Sequence, residues 1–342
     1  MYMFKYICKR VSLMLMIFTI IFVTCFVLIR LVPINTSVGL GQDRDILLAQ
    51  IEARGYNKPI PEQLVLYIQR IFNGDFGTAY DKMPNIKMGT PVIDVFIERL
   101  PPTILINIYS SLIAVPTGIA LGIFAALKKN KWQDHVISTA VMVIISVPSF
   151  VYGSLFLYTI CFKLGWLPKA VESLPNIVNF YADKGFQYVP YTFNWDLYLN
   201  PKMFISMLPA VLCMSFGSIA GYTRFTRAEL TEVLTSEFML LARTKGLTKS
   251  QATVRHALRN AMVPIFPSII GEVLSVLSGS LIIEKIFSIP GVGQLYLNAI
   301  NAQDYDFFML LSSFYLIVGL AAGLVIDLSY GFIDPRIRMG AK

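Results

Sequence analysis

Residues 11–29 have the sequence VSLMLMIFTIIFVTCFVLI, in which no residue is charged. A membrane-spanning helix needs about 20 predominantly apolar residues, so this stretch is long enough to cross a bilayer. Lys5, Lys9 and Arg10 precede it, as in a signal peptide. The apolar run is nevertheless too long for one, and no small-residue cleavage site follows. We therefore expect residues 1–30 to be an N-terminal segment with an uncleaved first transmembrane helix.

The composition of the whole chain agrees with a membrane protein. Of its 342 residues, 55% are hydrophobic and 15% are charged, against about 25% charged residues in an average soluble domain. These numbers exclude a cytosolic enzyme and a disordered chain, because too few polar side chains remain to cover a surface in water. We attribute the net charge of +8 to basic cytoplasmic loops rather than to nucleic-acid binding.

Five further stretches are apolar enough to cross a membrane. They lie near residues 103–127, 136–162, 203–223, 263–287 and 307–330. The predicted fold is all-α, a polytopic membrane protein with six transmembrane helices. Basic residues are concentrated in the segments that lie inside if the N-terminus does, and residues 288–306 have none. Because cytoplasmic loops are rich in lysine and arginine, both termini are expected in the cytoplasm.

The connections between the predicted spans are unequal in length. The chain is expected to comprise residues 1–30, an external loop region at 31–102, and a five-helix transmembrane core at 103–342 with a cytoplasmic segment at 224–262. The spacing of Leu64, Tyr67 and Ile71 predicts a helix over 61–72 in the external region.

The cytoplasmic segment 224–262 is the most informative connection. Residues 237–245 have a helical pattern that Ser236 can cap, and Gly246 is free to end the helix at positive φ. Residues 248–251 (TKSQ) match a capping box, which predicts a second helix.

The first of these two helices would expose apolar side chains beside arginines. Phe238, Leu241 and Ala242 are the apolar residues expected there. An exposed apolar and basic surface suggests a docking site. A solvated helical hairpin is the alternative, and the spacing alone does not separate the two.

Residues 242–247 (ARTKGL), followed by 255–261 (RHALRNA) and Pro264, resemble the EAA loop of ABC-importer permeases, in the form of the peptide-importer class. Arg259 departs from the general pattern, which has a proline there, but it suits the peptide class. The resemblance implies that this segment couples the chain to an ATPase. The residues expected to do so are Glu237, Phe238, Leu241, Ala242, Arg243, Lys245, Gly246, Arg255 and Arg259.

The resemblance extends over nearly the whole chain. Residues 74–78 (GDFGT) and 98–103 (ERLPPT) are similar to the external loop of the B-type subunit, and 284–293 (EKIFSIPGVG) resembles its E-x-x-F-x-x-P-G-x-G motif. Residues 30–35 (RLVPIN) depart from the usual Pro-Gly-Asp-Pro. The motif residues expected to have structural roles are Glu284, Pro290, Gly291, Gly293, Asp334, Pro335 and Arg336.

The resemblance implies a type I ABC-importer permease in the plasma (inner) membrane, forming half of a translocation pore. A homologous second permease, two cytoplasmic ATPase subunits and an external substrate-binding protein would be its partners, with a peptide as cargo. The chain has no G-x-x-x-x-G-K-[ST] loop, so ATP and Mg²⁺ are expected on the ATPases. We expect no cofactor, metal site, nucleic-acid site or catalytic residue in this chain. The family also includes nickel and glutathione importers, and the sequence does not identify the cargo.

Three residues within the predicted spans are candidates for the substrate path. Pro148 and Pro209 can break helices, and transporters use broken helices to line a path. Glu272 lies deep in the fifth span, where a charge usually faces protein or a water-filled cavity. Two interpretations of Glu272 stay open: it attracts the amino terminus of a peptide, or it pairs with a neighbouring helix or subunit.

Two other classes of function compete with a permease. An ion-coupled secondary carrier would favour duplicated inverted halves, and no such repeat is visible in the sequence. An intramembrane enzyme would need a nucleophile–base pair or metal ligands inside the spans, and no predicted span contains histidine.

Overall fold

The computed structural model describes residues 2–32, 44–79, 83, 86–277 and 279–333. Over these ranges the chain is helical, and one isolated antiparallel bridge joins Thr78 to Pro91. The motif residues Asp334, Pro335 and Arg336 lie outside the described residues.

Over the ranges that the structure describes, eight α-helices lie before residue 199. They are α1 (Tyr2–Leu31), α2 (Arg44–Ala53), α3 (Ile60–Phe72), α4 (Val92–Leu127), α5 (Trp132–Ser146), α6 (Ser149–Phe156), α7 (Leu174–Phe180) and α8 (Trp195–Tyr198). The remaining helices are α9 (Pro201–Leu234), α10 (Glu237–Thr244), α11 (Lys249–Ala252), α12 (Leu258–Ser275), α13 (Leu281–Ile286), α14 (Val292–Ala302) and α15 (Tyr305–Ile333). A π-helical turn, Leu157–Lys163, extends α6, and another, Thr253–Ala257, joins α11 to α12.

Five helical stretches are long and apolar enough to cross a membrane. They are Ile7–Leu31, Val92–Leu127, Pro201–Leu234, Lys249–Ser275 and Tyr305–Ser329. A sixth span arises if α5 and the extended α6 count as one broken span. The predicted all-α, multi-pass membrane fold is therefore confirmed.

The third predicted span, 136–162, is not a straight helix. Its two halves meet at a bend of 101°. Val147 is extended, with φ −92° and ψ 126°, and Pro148 begins the second half. The proline causes this break because it lacks an N–H and disfavours helical backbone at the preceding residue.

Other span boundaries also differ from the sequence-based prediction. Helix α4 begins at Val92, inside the predicted external loop, and α9 continues to Leu234, inside the predicted cytoplasmic segment. The predicted fifth span, 263–287, is wrong as a single helix, because α12 ends at Ser275 and α13 begins beyond Gly279, which has φ +63°. Pro264 lies within α12 instead of marking its start.

The chain divides into two compact units. The first comprises residues 1–99, 189–193 and 294–320, and the second comprises residues 100–188, 194–293 and 321–342. In the first unit, α3 packs its buried Tyr67 against the rings of Phe22 and Phe26 on α1. This helix agrees with the one predicted over 61–72.

In the second unit, two glycines let α4 approach α9 closely. A Cβ added at Gly118 would lie 2.6 Å from the Cβ of Tyr222, and one at Gly122 would lie 2.6 Å from that of Thr226. Glycines spaced by four are typical of close contacts between membrane helices. This contact was not among the sequence-based predictions, although the G-x-x-x-G spacing of the two glycines lies within an apolar span.

Candidate functional site

The segment between α9 and α12 folds as an elbow, which we define as residues 235–262. Gly246 has φ +90°, and its N–H donates to the carbonyl of Arg243 at 3.0 Å, ending α10 as predicted. The capping box is also present, since Thr248 and Gln251 each accept a hydrogen bond from the other's backbone N–H. Ser236 does not cap α10 as expected: its hydroxyl donates to the carbonyl of Val233 at 2.6 Å.

The elbow has an outer apolar face and an inner one. Phe238 and Leu241 are 41% and 57% exposed, and Leu240, which the sequence analysis did not select, is 65% exposed. Met239 is buried, and Ala242 packs beside it on the inner face, contrary to the expectation that Ala242 is displayed. Position on the helix explains this, because residues three apart share a face. The inner cluster also contains Ala126, Leu230, Ala252, Ala257 and Ala261.

The elbow also carries several exposed basic side chains. Arg243, Lys245, Arg255 and Arg259 are exposed, as is the acidic Glu237. None of them forms an ion pair with a residue that the structure describes. A cavity of about 580 Å³ lies behind α10, and its basic lining residues are Lys129, Lys131, Arg243 and Lys249. The elbow therefore offers an apolar, positively charged surface with no partner in this part of the chain.

A partly buried ion pair lies at the same end of α9. Arg227 binds both carboxylate oxygens of Asp134 on α5, with Nη2 to Oδ2 at 2.8 Å, and Asp134 is 1% exposed. The backbone N–H of Asn130 also donates to Asp134 at 2.9 Å. This link could not be predicted from the sequence, because no local pattern connects residues 93 positions apart in the chain.

The E-x-x-F-x-x-P-G-x-G motif closes around one carboxylate. Glu284 is 1% exposed and accepts a hydrogen bond from the Thr103 hydroxyl at 3.0 Å. The same hydroxyl accepts from the N–H of Val292 at 2.8 Å. A Cβ added at Gly291 would collide with Glu284 and Thr103, and one at Gly293 would lie 2.8 Å from Glu284 Oε2. The motif glycines thus let the backbone reach the acid, while Pro290 precedes them in the turn.

The G-D-F-G-T motif, residues 74–78, has a comparable role in the first unit. Arg54 donates to the buried carboxylate of Asp306 at 2.7 Å and also to the carbonyl of Thr78. A Cβ at Gly77 would collide with Asp306. Asp75 accepts from the N–H of Gly77 and from Arg70, both at 2.8 Å. The motif therefore arranges its backbone around an acid from α15, a role that the sequence analysis did not identify.

The three candidate path residues have different surroundings. Pro148 is exposed at the bend between α5 and α6, whereas Pro209 is buried within α9. Glu272 is half-buried on α12 and accepts a hydrogen bond from the Ser218 hydroxyl of α9 at 2.8 Å. Nearby, the Tyr222 hydroxyl donates to the carbonyl of Ser268 at 2.9 Å, which ties α9 to α12.

A family model described as "Binding-protein-dependent transport system inner membrane component" matches residues 118–339. The chain belongs to this family. The match includes the whole elbow and the motif around Glu284. Membership confirms the sequence-based expectation of an ABC-importer permease, a membrane-spanning transport component and not an enzyme.

Individual relatives agree with this family. A dipeptide transport system permease of Lactococcus lactis subsp. cremoris (strain MG1363) is 30% identical over 98% of this chain and 100% of its own length. A glutathione transport system permease of Salmonella choleraesuis (strain SC-B67) is 29% identical over 98% and 99%, respectively. A solved amino acid ABC transporter has a TM-score of 0.44 and 18% identity, over 69% of this chain and 92% of that chain.

Within the described ranges, no group of three or more histidine, cysteine, aspartate or glutamate side chains is placed to hold a metal ion.

Proposed function

We propose that this permease forms half of the pore of an ATP-driven peptide importer, and that the elbow couples it to an ATPase. The observation that carries the proposal is the outer face of α10, where Phe238 and Leu241 are exposed on an elbow whose exposed basic groups form no ion pair with a described residue. A partner groove with apolar and acidic side chains would complement this face. Exposed ion pairs contribute only about 0–1 kcal/mol each, so the apolar side chains would supply most of the binding energy.

The inner face of the elbow provides a route for coupling. Met239 and Ala242 pack on residues from the ends of α4 and α9 and from the start of α12. Movement of α10 by a bound ATPase would therefore press directly on three spans. For ATP to drive transport, the ATPase must bind the two pore states with different affinity, and this packed face would carry that difference.

The remaining partners and the orientation are part of the same proposal. A second permease completes the pore. Both chain termini lie on the cytoplasmic side, where two ATPases bind. A binding protein delivers cargo to residues 31–102, on the external side. A peptide cargo is supported by the relative named for dipeptides. Glutathione, itself a small peptide, is the second candidate because another relative is named for it.

Reconstitution tests the class of function. We expect the chain alone in liposomes to neither hydrolyse ATP nor accumulate labelled dipeptide or glutathione, since it lacks a phosphate-binding loop. With the second permease, the ATPases and the binding protein, uptake should require ATP. Uptake by the chain alone, driven by an ion gradient, would contradict the proposal.

Elbow variants test the coupling role. Phe238→Ala removes apolar contact area, and Gly246→Val places a β-branched residue at φ +90°, where such residues are outliers. Both should insert normally but lose most ATP-driven uptake. The control is Leu112→Ala, which removes a 67% exposed side chain of α4 away from the elbow. Co-purification of the ATPases with each variant distinguishes lost ATPase binding from ATP hydrolysis that is no longer coupled to transport. Wild-type uptake in both variants would refute the coupling role of the elbow.

Cysteine labelling tests the orientation. A single cysteine at the exposed Asn73, in a background without the four native cysteines, should react with an impermeant maleimide in intact cells. A matched cysteine at the exposed Ser250 of the elbow should react only after lysis. The reverse pattern would invert the proposed topology.

A further inference from the structure

Glu272 is an unusual residue for its position. It lies near the end of α12, within the candidate span Lys249–Ser275, and is the one acidic residue of α12. Arg259, the other charged residue of this helix, lies about 20 Å away along the axis at 1.5 Å rise per residue. A charge at membrane depth is costly unless protein or a water-filled path surrounds it.

The described part of the chain only partly satisfies this carboxylate. Oε1 accepts a hydrogen bond from Ser218 at 2.8 Å. Among the described residues, Oε2 has no hydrogen-bond donor, and no lysine, arginine or histidine forms an ion pair with Glu272. Within the described ranges, the carboxylate therefore has one acceptor oxygen free and no counter-charge.

The surroundings of Glu272 are polar and open. Ser275, one turn away, is exposed, and its hydroxyl donates to the Glu272 carbonyl at 2.7 Å. On α9, Gly221 follows Ser218 by one turn and is exposed, and a Cβ added there would meet nothing within 4 Å. Residues 218 and 221 on α9 and 272 and 275 on α12 thus form a strip of small and polar groups, with open space at Gly221. Lipid does not favour such a strip, because polar groups in spans face protein or water.

We propose that Glu272, assisted by Ser218, binds the cationic amino group of the transported peptide inside the membrane. This inference rests on the proposed function. A primary ammonium has three N–H donors, which Oε2 and the Ser218 hydroxyl oxygen accept at charge-assisted hydrogen-bond distances. Gly221 leaves room for the peptide beside the acid. Because no arginine of the described residues binds the carboxylate, the ammonium can occupy Oε2 while Ser218 stays bound to Oε1, and no ion pair has to break when the ligand binds or leaves.

The test uses the complete transporter in proteoliposomes and the variant Glu272→Gln, which keeps the shape and removes the charge. Loss of one charge-assisted hydrogen bond corresponds to about tenfold weaker binding, so we expect dipeptide uptake to fall about tenfold. Glu272→Asp should retain more uptake than Glu272→Gln. Glu232→Gln, at an exposed position of the same α9 that carries Ser218, should leave uptake unchanged.

A second measurement bypasses the binding protein, which selects cargo itself. Dipeptides carrying the photo-reactive residue benzoylphenylalanine at position two, with a free or an acetylated amino terminus, are cross-linked to the purified complex without the binding protein. Wild type should label several-fold more strongly with the free amino terminus, and Glu272→Gln should remove that difference.

The outcomes separate this inference from the proposed function. If wild type transports dipeptide and Glu272→Gln transports it equally well, the inference is overturned and the proposed function stands. If the second permease no longer co-purifies with Glu272→Gln, Glu272 serves the subunit interface and the inference is also overturned. The same holds if the cross-linking of both probes falls by the same factor. If wild type with all its partners takes up no peptide, the proposed function itself fails.

Discussion

Asp306 and Glu272 are acids of membrane-spanning helices, one in each compact unit, and their surroundings differ strongly. The side chain of Asp306 is fully buried and accepts hydrogen bonds from Arg54 and from the Tyr56 hydroxyl, both at 2.7 Å. Arg70 lies 3.8 Å from the same carboxylate. Glu272 is half-buried and has the Ser218 hydroxyl as its one described side-chain partner.

The neighbours of Asp306 hold each other in place. Burial, with the charge of Asp306, raises the pKa of Tyr56 to about 12, so its hydroxyl remains a donor at neutral pH. Arg30, at the end of α1, stacks over two aromatic rings. Its guanidinium carbon lies 3.9 Å from the ring centroid of Tyr56 and 4.5 Å from that of Tyr305. Cation–π contacts of this kind contribute about 0.5–2 kcal/mol. Asp306 thus joins α15 to α3 and to the connection after α2, and Arg30 attaches α1 to the same group of residues.

The difference indicates how an acid in this chain is used. An acid enclosed by several donors of its own chain, as Asp306 is, stabilises the fold and is not available to a ligand. An acid with one serine partner has unfilled hydrogen-bonding and charge capacity. Stability measurements on variants of these acids therefore test whether Asp306 and Glu272 differ in this way.

The largest effect is expected for Asp306→Ala. The substitution leaves the buried guanidinium of Arg54 without its counter-charge, and breaking a buried pair costs about 3–5 kcal/mol. We expect a large fall in the unfolding temperature of the purified protein in detergent. The unfolding temperature of Asp306→Asn, which keeps a hydrogen-bond acceptor but has no charge, should fall less. An unchanged unfolding temperature in the alanine variant would show that Asp306 does not organise the first unit.

A smaller effect is expected for Gly291→Ala, which tests how tightly Glu284 is enclosed. The new Cβ would collide with the Glu284 carboxylate and the Thr103 hydroxyl, and overpacking typically costs about 1–3 kcal/mol. The matched control is Gly319→Ala in α15, where the added Cβ meets nothing within 4 Å. Equal unfolding temperatures for the two variants would mean that the acid is loosely held.

Local patterns explain which of these features could be predicted from the sequence. The spans follow from apolar length, and Gly246 follows from its place after a helical pattern, because both are properties of neighbouring residues. The break at Pro148 was marked by the proline, but its 101° angle depends on packing. Arg54 and Asp306 are 252 positions apart, and no single-sequence pattern pairs them. Glu272 was noticed for its charge, while its single partner became visible only with α9 and α12 side by side.

An effect below about 1 kcal/mol is expected for Asp75→Asn, because the Asp75 side chain is 54% exposed and exposed pairs contribute little. The hydrogen bond from Arg70 lowers the pKa of Asp75 below its ordinary value of 3.8. Its contribution is therefore complete above that value and is lost as the pH falls through the lowered pKa. The unfolding temperatures of wild type and variant should converge below about pH 4. A gap that persists in strong acid would point to a different cause.

The smallest effect on stability is expected for Glu272→Gln, and this expectation bears most directly on the comparison. The amide oxygen can still accept the Ser218 hydrogen bond, and the change removes a charge that no described residue compensates. Unlike Asp306→Asn, it strands no buried arginine, so the unfolding temperature should stay within about 1 °C of wild type or rise, since a change of 1 kcal/mol corresponds to only about 2–4 °C in a large domain. Differential scanning fluorimetry in the same detergent compares the unfolding temperatures of Asp306→Asn and Glu272→Gln. A fall as large as that of Asp306→Asn would mean that Glu272 already has a strong partner in this chain, and the two acids would then belong to one structural class.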